Sequence, residues 1–301
     1  MTGGENETTQ AGSAVATTPA ADAPTARAVM RKARSENFSV APWLLPPGLR
    51  RHLLAIYGYA RLVDDLGDEI EGDRLAALDE LERDLDRLYA GEPPRHEALR
   101  PLQRTIREFD IPREPFGKLL EANRQDQEVS SYATYDDLLA YCELSANPVG
   151  HLVLHVLRAA TPERLALSDA VCTALQLVEH WQDIGEDFRR GRVYVPFEDR
   201  QLYGVLEDDL AAAETPTNVR TLVYFETRRT RRLLEDGAPL AHMLSGWGRL
   251  AVAGYVGGGF AALDALERAE CDVLPVAPKP TKADKLRATW RVLREREEDG
   301  E

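Results

Sequence analysis

Beyond the first few dozen residues, apolar side chains recur at helical spacing in segment after segment. In residues 50–73, RRHLLAIYGYARLVDDLGDEIEGD, Leu53, Leu54, Tyr57, Ala60 and Leu62 fall on a helical face, which then switches to acid at Asp64, Asp65, Asp68 and Glu69. Residues 73–90 carry leucines at 75, 78, 81, 85 and 88, an amphipathic helix with a charged outer face, closed by Gly91-Glu92-Pro93-Pro94. Helices are predicted over 98–109, over 115–127 with Pro115 in the first turn, over 135–144 and over 151–160. SANPVG (145–150) reads as an interruption between the last two. Residues 169–190, DAVCTALQLVEHWQDIGEDFRR, read as one helix, and 191–199 as extended or looped. Helices follow over 208–213, 216–236 and the glycine-rich stretch 239–266. Sustained period-2 alternation and Asn-Gly turns are absent, so the expectation is an all-α protein with a single large domain, 26–274.

The flanks differ in composition. Residues 1–25 are rich in Thr, Ala, Gly and Ser and predict a disordered tail, with a short helix over 25–34 and a break at Pro42, Pro46 and Pro47. Residues 275–301 predict a charged tail containing a loosely attached helix. Its Leu286, Trp290 and Leu293, flanked by Lys282, Lys285, Arg287, Arg291 and Arg294, also admit a peripheral membrane contact.

A 301-residue chain with 44% hydrophobic and 29% charged residues suits a globular protein. The net charge of −14 argues against nucleic acid as a partner. Cys142, Cys172 and Cys271 lack C-x-x-C spacing and read as thiols of a reducing, cytoplasmic compartment. No run nears eighteen consecutive apolar residues, and no secretory leader is evident, so the expected setting is the cytoplasm or the inner membrane face.

Chemistry enters through two acidic pairs. Asp64 and Asp68, four apart on a helix, lie about 6 Å apart along its axis and repel by about 3 kcal/mol at an effective dielectric near 20. A cation between them removes that cost. Asp183 and Asp187 repeat the spacing, with Glu179 one turn earlier. Two such helices suggest carboxylate walls facing across a cavity, and hard oxygen donors suit Mg²⁺ bound jointly by protein and phosphate. Tyr57 and Arg61 precede the first wall; Arg189, Arg190, Arg192 and Tyr194 follow the second, and all are candidates for phosphate oxygens. Surface ion pairs are the simpler reading for Arg189 and Arg190. No histidine has Glu three residues before it, and H-E-x-x-H, zinc and nucleotide-binding patterns are absent. Metal-assisted departure of a diphosphate beside an apolar pocket is the chemistry these residues suit.

YARLVDDLGDE (59–69) and QLVEHWQDIGEDFRRGRVYVP (176–196) resemble the two aspartate-rich signatures of the squalene/phytoene synthase family. SENFSVAPWLLPPGLRRHLLAIYGYARLVDD, YCELSANPVG and GGGFAALDAL are most similar to its hydroxysqualene synthase branch. The resemblance implies an isoprenoid synthase fold with a central cavity and Mg²⁺ held by Asp64, Asp68, Asp183 and Asp187. It places Ser35, Phe38, Tyr57, Arg61, Tyr141, Gln176 and Arg192 along the diphosphate or prenyl pocket. It implies conversion of presqualene diphosphate to hydroxysqualene, within squalene or hopanoid biosynthesis and beside other enzymes of that route. A head-to-head synthase making presqualene diphosphate or phytoene, and a non-catalytic helical partner of a squalene-pathway enzyme, are the alternatives. Three positions depart from the family pattern: Glu179 where Asn is usual as a metal ligand, Glu143 where a basic residue is usual, and His151 where Arg is usual. Gly259, where some relatives carry an aromatic residue, is expected to leave space for a quenching water.

Overall fold

The computed structural model describes residues 45–294. Ser35, Phe38 and the short helix expected over 25–34 lie outside the described residues.

The first acidic helix is α1 (Pro47–Asp68), started by proline where no backbone N–H is needed. Helix α2 (Arg74–Tyr89) is capped by Asp73, whose carboxylate accepts from the Ala76 N–H at 2.9 Å. A 3₁₀ turn (Glu97–Leu99) leads into α3 (Arg100–Phe109), followed by α4 (Glu114–Gln125). Leu62, Leu78, Leu85, Leu102 and Phe116 fill a core among these four helices. The Tyr59 hydroxyl donates to the Phe116 carbonyl at 2.9 Å and ties α1 to α4. A Cβ on Gly67 would strike the Asn123 side chain, so glycine there lets α4 close onto the acidic end of α1.

Helix α5 (Tyr135–Ser145) opens with a reciprocal capping box between Thr134 and Asp137. SANPVG does not interrupt the helices as expected. Only Ala146 separates α5 from α6 (Asn147–Val156), because Pro148 sits in a first turn that lacks hydrogen-bond acceptors anyway, and the Thr173 hydroxyl donates to Asn147 at 2.9 Å.

Helix α7 (Pro162–Gln182) and the short α8 (Ile184–Arg189) replace the single helix expected over 169–190. The joint is Asp183 itself, at φ −103°, ψ 13°, although the Asp187 N–H still bonds the Asp183 carbonyl at 2.8 Å. Helices α9 (Phe197–Leu202) and α10 (Glu207–Leu210) lead to the long α11 (Thr217–Gly237). Trp181, fully buried, donates to Thr230 at 2.8 Å and locks α7 to α11.

The glycine-rich stretch is also broken: a 3₁₀ segment (Ala238–Met243) precedes α12 (Gly246–Arg268), because Ser245 is extended and Gly246 takes φ +55°. Helix α12 is the one described helix long and apolar enough to cross a membrane, but 72% of its apolar window is buried within the fold, as in a core helix.

Helix α13 (Lys282–Arg294) is firmly seated rather than loosely attached. It packs on α12 through Ala288 and Val292; a Cβ on Gly257 would come within 2.5 Å of the Thr289 backbone nitrogen. Glycine at that point is what permits the approach. The only β pairing among the described residues is a single bridge between Ser131 and Val193, so the all-α expectation holds.

Candidate active site

The two acidic helix ends meet through one arginine. The Arg192 backbone N–H donates to the Asp187 carbonyl at 2.9 Å, which fixes the start of the RVYVP segment against α8. Its guanidinium reaches across to α1 and donates to Asp68 at 3.0 Å and to the Tyr194 hydroxyl at 3.2 Å. Asp126, on the turn after α4, lies 4.0 Å from the same guanidinium and accepts from the buried Tyr141 hydroxyl at 3.0 Å. Asp68, Asp126, Tyr141, Tyr194 and the Asp187 backbone therefore gather around Arg192.

Asp64 accepts a long 3.4 Å hydrogen bond from Asn123. Its carboxyl is open to water yet closely ringed by protein, and desolvation pushes it up to about 6. Burial likewise raises Asp126 to about 6. On the other wall burial pushes Asp187 up to about 7, with the Asp183 charge adding to it. Glu179 and Asp183 are raised by burial as well, and the Asp183 Oδ1 is buried with no hydrogen-bond partner. The three acids are raised chiefly by burial although Lys279 stands near Glu179 and Asp183, and with an orphaned carboxylate oxygen among them the donor set suits a hard divalent cation.

The acids do not converge into a closed protein cage: among the described residues no three His, Cys, Asp or Glu groups gather at one point. Mg²⁺ typically takes one or two carboxylates and completes its shell with water and phosphate oxygens, so a site for it does not require a closed protein cage.

Arg61 is held by its own helix. It contacts buried Asp65 at 2.8 Å and Glu69 at 2.7 Å, so its charge is shared with α1 acids rather than directed solely outward. Tyr57 is half-buried one turn earlier on α1. Arg190 pairs with Glu186 at 2.7 Å on the exposed face, the surface role expected of it.

A cavity of about 820 Å³ lies between α6, α7 and α12. Val153, Leu154, Val171, Leu175 and Val252 give it apolar walls, while Gln176, Glu179 and Asp183 bring α7's polar residues to it. Lys279 and Lys285 line the same wall. Gln182 donates to the Pro278 carbonyl and holds that lysine-bearing segment against α7.

Gly258 and Gly259 both line the cavity, but the roles differ from expectation. A Cβ on Gly259 would meet Leu175 and Leu234 at 2.8 Å, whereas nothing stands within 4 Å of one on Gly258. Gly258 is the position that leaves open space.

Two of the three departures from the family pattern lie off the cavity wall: Glu143 is exposed on α5, and His151 pairs with Asp169 of α7 at 2.7 Å. Glu179 stands on the cavity wall. Sequence reasoning missed Asn123, Asp126 and His180. The signal for the first two was present as two polar residues three apart in NRQDQ, one helical turn, but polar residues on a helix face usually meet solvent. His180 is buried, stacks on Tyr194 with centroids 3.7 Å apart and lies 3.2 Å from Gln176. Burial pushes its pKa down to about 3, with the Arg192 charge acting in the same direction, so it is neutral.

The profile of squalene/phytoene synthases matches residues 31–294. The chain belongs to the squalene/phytoene synthase family. Like that family it is an enzyme acting on prenyl diphosphates, built on the isoprenoid synthase fold. Hydroxysqualene synthase of Rhodopseudomonas palustris is 37% identical over 212 residues, 69% of this chain and 71% of that one. The 15-cis-phytoene synthase of Synechocystis is 32% identical over 219 residues, 67% and 64% of the two chains. Among solved structures, squalene synthase HpnC from Alicyclobacillus acidocaldarius superposes with a TM-score of 0.77 at 42% identity, covering 82% of this chain and 94% of its own. A dehydrosqualene synthase with bound ligand gives a TM-score of 0.81 at 24% identity, over 91% and 97% of the two chains, a likeness of fold.

Proposed function

We propose that this squalene/phytoene synthase family member converts presqualene diphosphate and water to hydroxysqualene, releasing diphosphate and a proton. The observation that carries the reading is the two-walled acidic site joined by Arg192, with α7 running from it along the apolar cavity. A diphosphate needs cations at its head and an apolar pocket for its hydrocarbon; the cavity has apolar walls and carries Glu179, Asp183, Lys279 and Lys285 on its lining.

In this reading Asp64, Asp68, Asp183, Asp187 and Glu179 hold Mg²⁺. The metal, when bound, stabilises the negative charge of the departing diphosphate. Arg192 and Tyr194 donate to phosphate oxygens, and Tyr141 orients Asp126 beneath them. Carbon–oxygen cleavage leaves a cyclopropylcarbinyl cation. The apolar walls keep bulk water from it, and one admitted water attacks and loses a proton. The similarity to hydroxysqualene synthases from several bacteria supports this product.

The second reading, head-to-head joining of two prenyl diphosphates, is favoured by the comparable identity to phytoene synthases. Mass-spectrometric identification of products decides between them. Hydroxysqualene from presqualene diphosphate plus Mg²⁺ supports the first. Inert presqualene diphosphate, with turnover of farnesyl or geranylgeranyl diphosphate, overturns it.

A further inference from the structure

The outer face of α13 has no protein against it among the described residues. At 100° per residue the direction opposite the buried pair Ala288 and Val292 falls on Trp290, with Leu286 beside it. Trp290 is 60% exposed and Leu286 72%. Lys282, Arg287 and Arg294 flank this strip; Arg287 also pairs with Asp284 at 2.6 Å, and Arg294 lies 6.0 Å from the Trp290 ring centroid. The helix carries five basic residues against Asp284 alone, within a chain of net charge −14. Trp247, also exposed, stands at the end of α12 that Arg249 ties to the Leu293 carbonyl at 2.8 Å.

A single exposed Leu or Trp means little. An exposed aromatic and aliphatic strip flanked by cations, on a helix whose opposite side is anchored in the fold, is the arrangement of a helix that lies in a lipid interface.

We propose that α13 seats the protein on an anionic lipid bilayer, with Leu286 and Trp290 entering the headgroup boundary and Lys282, Arg287 and Arg294 contacting lipid phosphates. Charge complementarity selects this occupant. An anionic surface attracts the basic helix and repels the acidic body, so it favours one orientation. A two-fold contact with a second copy through this strip would set the basic helix against the same basic helix, which like charges disfavour. Location agrees: Lys279 and Pro280, just before α13, and Lys285 within it also line the cavity. Lys285 reaches the cavity from the packed side of α13, so a bilayer on the outer face would be separated from the cavity by this one helix. The proposal requires the helix and the cavity, not the identity of the product.

The test is co-sedimentation of the full chain with vesicles of phosphatidylcholine alone or mixed with phosphatidylglycerol. We expect binding to the mixed vesicles that weakens with added salt, and little to the neutral ones. The double variant Leu286→Glu/Trp290→Glu and the variant Lys282→Glu/Arg294→Glu should each bind at least about tenfold more weakly. Their thermal melts should match the parent, because all four side chains are exposed. Tryptophan emission of the parent should shift to the blue on mixed vesicles, and Trp290→Phe should remove most of the shift. The proposal is overturned if the parent ignores mixed vesicles, or if both double variants bind as tightly as it does. It is also overturned if deleting residues 1–44 is what abolishes binding, or if the strip proves to hold a dimer that Leu286→Glu/Trp290→Glu dissolves.

Discussion

The Arg192 guanidinium and the Asp68 carboxylate meet at 3.0 Å, although 124 residues separate them. Because the Arg192 backbone is bonded to Asp187, this contact joins the two aspartate motifs into one site. Arg192→Gln removes the charge and the reach. If the residue also grips a phosphate oxygen, kcat should fall by about 10²–10³ with the fold intact. Steady-state turnover of presqualene diphosphate, with circular dichroism as the fold control, checks this. Turnover within twofold of the parent would reject the role.

Mg²⁺ binding should weaken as pH falls through about 7. Burial pushes Asp187 up to about 7, so below that pH the metal must displace a proton. Isothermal titration of the apoprotein with Mg²⁺ and a diphosphate analogue at pH 6 and pH 8 should show tighter binding and less proton release at pH 8. Asp183→Asn should weaken the binding at both values and abolish diphosphate release.

Away from the site, Glu226 is fully buried and contacts Arg229 at 2.7 Å; Arg229 in turn reaches Asp199 at 2.7 Å and stacks 3.4 Å from the Tyr135 ring centroid. Burial pushes Glu226 up to about 8 despite the arginine. The folded state therefore binds more protons than the unfolded chain between the ordinary Glu value and about 8. The contribution of this group to stability is present at low pH and is lost as pH rises through about 8. Urea melts from pH 5 to pH 9 should show this decline, and Glu226→Gln should flatten it. Arg229→Met removes the ion-pair partner of buried Asp199 and a hydrogen-bond donor to Glu226, which is largely protonated at pH 7, and should cost about 1–3 kcal/mol there.

Gly257 and Gly258 are neighbours with opposite expectations. Gly257→Ala forces a Cβ onto the backbone of Thr289 and should destabilise by about 1–3 kcal/mol through the α12–α13 contact. Gly258→Ala points into open cavity and should be nearly neutral to stability. Gly258→Phe should fill part of the cavity and lower turnover of a long prenyl substrate more than it lowers the melting temperature. Thermal melts and product assays on the three variants separate these effects.

Much of this protein was legible before any coordinates. Helical periodicity made the all-α class plain, because each helix must bury an apolar stripe whatever its neighbours. The D-x-x-x-D spacing drew attention to two acidic helix ends, and Arg192 links them through the Asp68 carboxylate and the Asp187 carbonyl. Resemblance across both motifs supplied the family.

Other features were decided by contacts between distant segments. The break at Asp183 has no proline or glycine at the residue itself to announce it, and SANPVG looked like an interruption when Pro148 was in fact opening a helix. Asn123 and Asp126 read as ordinary polar residues until Gly67 and Tyr141 brought them beside the acids. Arg61, a phosphate candidate by spacing, is partly engaged by Asp65 and Glu69. Helix α13 passed for a loose end because a charged, half-apolar segment declares no partner; the approach at Gly257 supplied one. Local pattern is a property of neighbours along the chain and can be read there. Site geometry and docking depend on shape-matched contacts between residues far apart in sequence, so only tertiary packing settled them.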